Sequence, residues 1–188
     1  QKEYTASIDI FDMEDDPWKT ETRSDSEIEQ KQSFFDLFSK NPLPDDELLD
    51  NLGLYLNRQT LTRIMFMREI YEEVTEIRGD VMEFGTRWGQ NMALFTNFRG
   101  MFEPYNHNRK VIGFDTFDGF PDSSISEHDN DVENIGDFAT SEGYEEHLRK
   151  VLEYHEKKNP IPHIEKFEII KGNVEETLED YLDANPQT

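Results

Sequence analysis

The chain has no cysteine. That removes disulfides, thiolate nucleophiles and cysteine-based metal sites. It has no apolar run near the ~20 residues that cross a bilayer. Basic residues are scarce: 19 Lys and Arg stand against 42 Asp and Glu, for a net charge of −23. A field of that sign repels nucleic acid and anionic membrane, which are both held by Lys and Arg, so neither is expected as a partner. The first 22 residues are polar and acidic and lack the apolar core of a signal peptide. A soluble, cytoplasmic protein is the default expectation. A length of 188 residues is enough for one domain with a real core.

Bases are missing most conspicuously between Lys110 and Arg149, a stretch that holds eleven acids from Asp115 to Glu146. A loop of this composition is poorly suited to gripping phosphate. It suits either plain solvation or closure over a cation, such as a divalent metal or a sulfonium. The length of loop 116–140 and its lack of periodicity predict a lid over the site.

The patterning divides the chain. Residues 1–44 read as an acidic arm, with Phe11, Trp18, Phe34, Phe35 and Phe38 too aromatic for a pure linker. Asn41-Pro42-Leu43-Pro44 breaks the chain, and a helix is expected over about 45–56. Leu61, Ile64, Met65, Ile70, Tyr71, Val74 and Ile77 recur at helical spacing. Strands are expected at 81–84, 110–115 and 167–171, and helices at about 88–98 and 144–158. A last helix is expected after Asn173, whose side chain can cap it, with Glu176 in the capping-box position. The alternation implies an α/β fold, a Rossmann-like parallel sheet with flanking helices over residues 45–188. With strands visible on one side of 81–84 alone, that strand is expected to present an open edge and to favour self-association. A homo-oligomer is compatible with this.

Two strings carry the chemistry. Val81-Met82-Glu83-Phe84-Gly85-Thr86-Arg87-Trp88-Gly89 is an apolar strand ending in an acid and a glycine-bearing turn. Val111-Ile112-Gly113-Phe114-Asp115-Thr116-Phe117 is another apolar strand ending in an acid. Ligands of open α/β sheets bind beyond such strand ends. The spacing Glu-x-Gly-x-x-x-Gly lacks the middle glycine of the dinucleotide fingerprint, which disfavours a nucleotide-dependent oxidoreductase. Asp115 is placed to accept both hydroxyls of a ribose; its plainer reading is a cap on the next turn. Phe117 is a packing residue or a cover for adenine. His128, between Glu127 and Asp129, is the candidate general base; its plainer reading is a surface histidine. No histidine has a partner at metal-ligand spacing.

Glu83-Phe84-Gly85-Thr86-Arg87-Trp88-Gly89, Phe114-Asp115-Thr116-Phe117-Asp118-Gly119-Phe120-Pro121 and Lys171-Gly172-Asn173-Val174-Glu175-Glu176-Thr177-Leu178 together resemble the class I S-adenosylmethionine-dependent methyltransferases. Among these the chain looks most like the macrocin O-methyltransferase (TylF-like) type, over about residues 57–188, with the arm unmatched. The resemblance implies S-adenosylmethionine as cofactor and a small-molecule hydroxyl, on a sugar or a sugar-bearing compound, as acceptor. Glu83, Gly85, Thr86, Arg87 and Gly89 would hold the methionine end of the cofactor. Asp115 would hold the ribose, Thr116 and Phe117 after it would also belong to the cofactor site, and Asn173 and Val174 would border the adenine. A divalent metal such as Mg would be held by residues beyond this chain. The alternative from another class is a non-catalytic module that keeps the nucleoside pocket and binds partners through the acidic arm.

Overall fold

The computed structural model describes residues 24–120 and 138–186. The chain separates into two compact units, Gln1–Leu56 and Asn57–Thr188. The first contains α1 (Asp25–Ser39), α2 (Asp45–Leu48) and a 3₁₀ turn at Leu52–Tyr55. The second contains α3 (Arg58–Val74), β1 (Val81–Phe84), α4 (Gln90–Phe102), β2 (Val111–Asp115), α5 (Tyr144–Lys158), β3 (Phe167–Lys171) and α6 (Val174–Ala184).

In the first unit residues 25–39 of the expected arm form a helix. Ser24 and Glu27 form a capping box: the Glu27 carboxylate accepts from the Ser24 N–H at 2.9 Å and its hydroxyl at 3.2 Å. That Ser-x-x-Glu signal lies inside the acidic composition that reads as arm. Phe34 and Phe38 of α1 meet Tyr55, with ring centroids 6.2 and 5.0 Å apart, so these aromatics do pack. The helix expected over 45–56 is broken in two. The Asn51 amide donates back to the Glu47 carbonyl, and a side chain that competes for backbone partners favours a turn over a continuing helix.

In the second unit the strands lie in the order β1-β2-β3, all parallel. Val81 pairs with Val111, which pairs with Phe167, so the three strands end level and Glu83 of β1 and Asp115 of β2 lie toward one edge, with Lys171 ending β3 beside Asp115. Tyr71, Met92, Phe95, Phe98, Leu148, Leu152 and Phe167 form the main core between the sheet and α3, α4 and α5. Ile112, Phe114 and Tyr181 form a smaller core on the other face under α6. β1 is an edge strand among the described residues, with Phe84 53% exposed.

The inner face of α3 is Ile64, Met67, Tyr71 and Val74. Leu61, Met65, Ile70 and Ile77, part of the predicted stripe, are exposed. Spacing alone cannot choose between two adjacent apolar stripes on one helix. α4 runs to Phe102, past the expected end near residue 98, with Gly100 inside it. The Asn159 side chain covers that glycine so closely that a Cβ would lie 2.0 Å from its Oδ1, and it donates to the Thr96 carbonyl at 2.9 Å. Close packing across elements outweighs the glycine's local preference.

Two ionic clusters hold the helices to the sheet. Arg109 donates to the carbonyls of Val74, Ile77 and Gly79 and to Glu103, closing the C-terminal end of α3. The Tyr71 hydroxyl donates to the same Glu103 carboxylate at 2.8 Å. Arg99, Glu156 and Lys166 are all buried: Glu156 takes Arg99 on Oε2 and Lys166 on Oε1, both at 2.6 Å. Lys166 also donates to the carbonyls of Ile161 and Ile164, so the second cation is fully satisfied.

Candidate functional site

The site is built where β1 and β2 end. Glu83 projects from β1, half-buried. Its Oε1 accepts from the Asn91 amide at 2.7 Å, while Oε2 is buried and accepts no hydrogen bond among the described residues. Burial pushes its carboxyl up to about 7, opposed by the Asn91 hydrogen bond and the Arg63 charge and reinforced by Asp115. A half-buried carboxylate with one free oxygen fits a cationic ligand group, which would restore its charged form.

The turn after β1 is shaped by its glycines in two different ways. Gly85 has φ +80, and a Cβ built there meets nothing within 4 Å. Its position is open to a ligand. Gly89 has φ +72 and starts α4, and a Cβ there would lie 2.2 Å from the Leu148 side chain. That glycine serves the packing of α5. Thr86 is also turned inward: a Cβ at Gly113 of β2 would lie 2.6 Å from its Oγ1. Arg87 is exposed on the rim with φ 48, and its guanidinium stands 4.7 Å from the centre of the Phe138 ring.

Asp115, at the end of β2, ties the two turns together. Its Oδ2 accepts the Arg87 N–H and its Oδ1 the Phe117 N–H, each at 2.6 Å. It thus fills the capping role, and each oxygen keeps a further lone pair for a ribose hydroxyl. The Phe117 side chain is 3% exposed and lies in the main core, so it does not face a ligand. Its carbonyl accepts both the N–H and the hydroxyl of Thr140 at 3.0 Å, which pins the far end of the long loop beside the site. Thr116 closes the turn by donating to the Gly119 carbonyl at 2.6 Å.

Beyond β2 and β3 lies an open cleft of about 370 Å³ lined by Thr116, Asp118, Gly119, Phe120, Lys171, Gly172 and Asn173. Asn173 caps α6, accepting the Glu175 N–H at 3.1 Å. Val174 packs against the smaller core. Lys171 reaches Glu145 at the start of α5 at 3.0 Å; that hydrogen bond raises the Lys171 ammonium and lowers the Glu145 carboxyl. The structure therefore gathers Glu83, Gly85, Asp115, Thr116 and Asn173 along one edge. It turns the Thr86, Phe117 and Val174 side chains into the protein. Lys171 and Asn91 had no signal as site residues, because each is placed by a partner far away in sequence. His128 and most of the predicted lid lie outside the described residues. Among the described residues no three His, Asp or Glu side chains gather into a metal-ligating group, and no helix is long and apolar enough to cross a membrane.

No protein-family model matches the chain, and no curated protein matches it. Solved structures do. The crystal structure of CalS11, a calicheamicin methyltransferase, shares 37% identity with this chain at a TM-score of 0.84, over 92% of this chain and 68% of that one. The chain belongs to the class I S-adenosylmethionine-dependent methyltransferases. The macrocin O-methyltransferase type is consistent with this neighbour. An apo structure of CalS11, described as a TDP-rhamnose 3'-O-methyltransferase of calicheamicin biosynthesis, gives 35% identity and a TM-score of 0.72, over 88% of this chain and 64% of that one. The chain spans about two thirds of CalS11. The first match covers more of the chain than the unit Asn57–Thr188. The likeness to this methyltransferase thus extends into the N-terminal unit, where the motifs had given no match.

Proposed function

We propose that this chain is the cofactor-binding part of an S-adenosylmethionine-dependent O-methyltransferase whose acceptor is a hydroxyl on a sugar. The observation that carries the cofactor reading is the Glu83 carboxylate, half-buried with a free buried oxygen beside the open turn at Gly85. Its neighbour on the next strand end is Asp115, so the two carboxylates present a cation-binding and a hydroxyl-binding position side by side. The likeness to CalS11 supports a nucleotide-linked sugar as the acceptor.

In this reading Glu83 Oε2 accepts the amino group of the cofactor's methionine end. Gly85 lets the backbone approach it, and the Arg87 turn closes over it. Asp115 accepts the ribose hydroxyls. The cleft between Gly119–Phe120 and Lys171–Asn173 takes the adenine, with Asn173 at its border. The cofactor supplies an electrophilic methyl group. The chain's share of the chemistry is to hold that group in line with the acceptor oxygen, where orientation supplies much of the rate. His128 is the proposed acceptor of the hydroxyl proton. The metal implied by the resemblance would be held by residues other than the described ones, and no step above runs through it.

Calorimetry with S-adenosylmethionine, its demethylated product and NADH tests the cofactor reading. Binding of either sulfur nucleoside and not of NADH is expected; the reverse overturns it. Mass-spectrometric detection of a methyl added to a nucleotide-linked deoxysugar tests the acceptor.

A further inference from the structure

The Arg63 guanidinium on α3 donates to Asn91 Oδ1 at 3.2 Å, and Asn91 Nδ2, in the first turn of α4, donates to Glu83 Oε1 at 2.7 Å. The direction of this chain is fixed by its ends. A guanidinium only donates and a carboxylate accepts, so the amide between them has one orientation. The interaction joins residues 28 and 8 positions apart, on two helices and a strand. Asn91 is half-buried and Arg63 is exposed.

We infer that Asn91 and Arg63 are positioning residues that fix the Glu83 carboxylate through Oε1 and leave Oε2 for the amino group of the cofactor. This rests on the cofactor reading above. A single carboxylate oxygen is committed to Asn91, so the rotamer of Glu83 is set before the ligand arrives, and the ligand does not pay for that ordering. The charged groups that face Glu83 are Arg63 from α3, which favours the carboxylate, and Asp115 from the end of β2, which opposes it. The Met92 N–H of α4 works with Arg63. Burial works with Asp115. Burial is the strongest influence on Glu83, and the relay is what opposes it.

The test is calorimetry on the full chain with two probes. S-adenosylhomocysteine carries the amino-acid end, and 5'-methylthioadenosine carries the same adenosine without it. Asn91→Leu should move the pH at which affinity is half lost upward by about one unit, which weakens S-adenosylhomocysteine about fivefold at neutral pH and about tenfold at lower pH, where one pKa unit is a tenfold change in the charged fraction. Arg63→Gln, at an exposed position, should give a smaller shift in the same direction. Methylthioadenosine should bind both variants as it binds the wild type. Equal loss of both probes would mean a merely structural role and would overturn the inference, as would unchanged S-adenosylhomocysteine affinity and pH profile in both variants. Wild-type protein that binds neither probe would overturn the cofactor reading itself; intact wild-type binding with unaffected variants would overturn this inference alone.

Discussion

Asp115 and Arg87, on different strand ends, are joined by a 2.6 Å hydrogen bond from the Arg87 N–H to Asp115 Oδ2. The other carboxylate oxygen takes the Phe117 N–H at the same distance. Both donors are non-glycine residues in the left-handed region, with φ 48 and 59. Such conformations cost on the order of 1–3 kcal/mol and persist where the surroundings over-determine them. One carboxylate holds both strained turns of the site.

That relationship predicts two separable losses. Asp115→Asn keeps one acceptor and sets an amide N–H against a backbone N–H. Asp115→Ala removes both acceptors. Stability should fall by about 1–3 kcal/mol for the alanine variant, the scale for hydrogen bonds to a charged group, with the asparagine variant intermediate. Urea unfolding measures this. Cofactor affinity should fall in both; unchanged stability would contradict the two-turn role.

The raised Glu83 carboxyl predicts a pH dependence. Its folded value is about 7 against 4.5 for the free group, so between those values the folded protein keeps a proton that the unfolded chain has lost. Glu83 therefore contributes stability below about pH 4.5 that is lost as pH rises through 7. The difference in melting temperature between wild type and Glu83→Gln should grow in favour of the variant from pH 5 to pH 8. Bound cofactor should reverse the trend for the wild type, because its cation restores the charged form. Parallel curves would sink the assignment.

Gly113 sits mid-strand in β2, where a Cβ would lie 2.3 Å from Met92 Sδ and 2.6 Å from Thr86 Oγ1. Met92 is fully buried and cannot move aside freely. Gly113→Ala should cost about 1–3 kcal/mol, the scale of overpacking. It should also displace the Thr86 turn, which a chemical-shift map centred on residues 83–89 would show. Wild-type stability and shifts would mean that the turn yields without cost.

Glu156→Gln leaves the buried Arg99 and Lys166 without their shared carboxylate. Breaking a buried ion pair from one side costs about 3–5 kcal/mol, which for a chain of this size lowers the melting temperature by roughly 10 °C. Scanning calorimetry checks it. A drop within a degree or two would mean that water or a neighbour replaces the carboxylate.

Strands, most helices and the two strand-end acids were legible in the residues themselves. An apolar run, a capping asparagine and a glycine-bearing turn are local signals, and Phe167–Lys171 and Tyr144–Lys158 form where their own sequence places them. The helix at Asp25–Ser39 was hidden because its Ser24–Glu27 capping box lies inside a run whose acidic composition resembles a solvated arm. Which apolar stripe of α3 faces inward was decided by what packs on it, namely Phe95, Phe98 and Phe102 around Tyr71.

The site divides in the same way. Residue types and spacing determined by themselves that carboxylates end β1 and β2 and that a glycine turn lies between them. The tertiary structure alone decided what those groups can do. It turned Thr86 and Phe117 inward, gave Glu83 one occupied and one free oxygen, and set Arg63 and Asn91 behind it. The reason is physical. A strand or a helix turn is stabilised by neighbours within a few residues, so its pattern is written locally. The charge, burial and orientation of a carboxylate depend on groups that only the folded chain brings together.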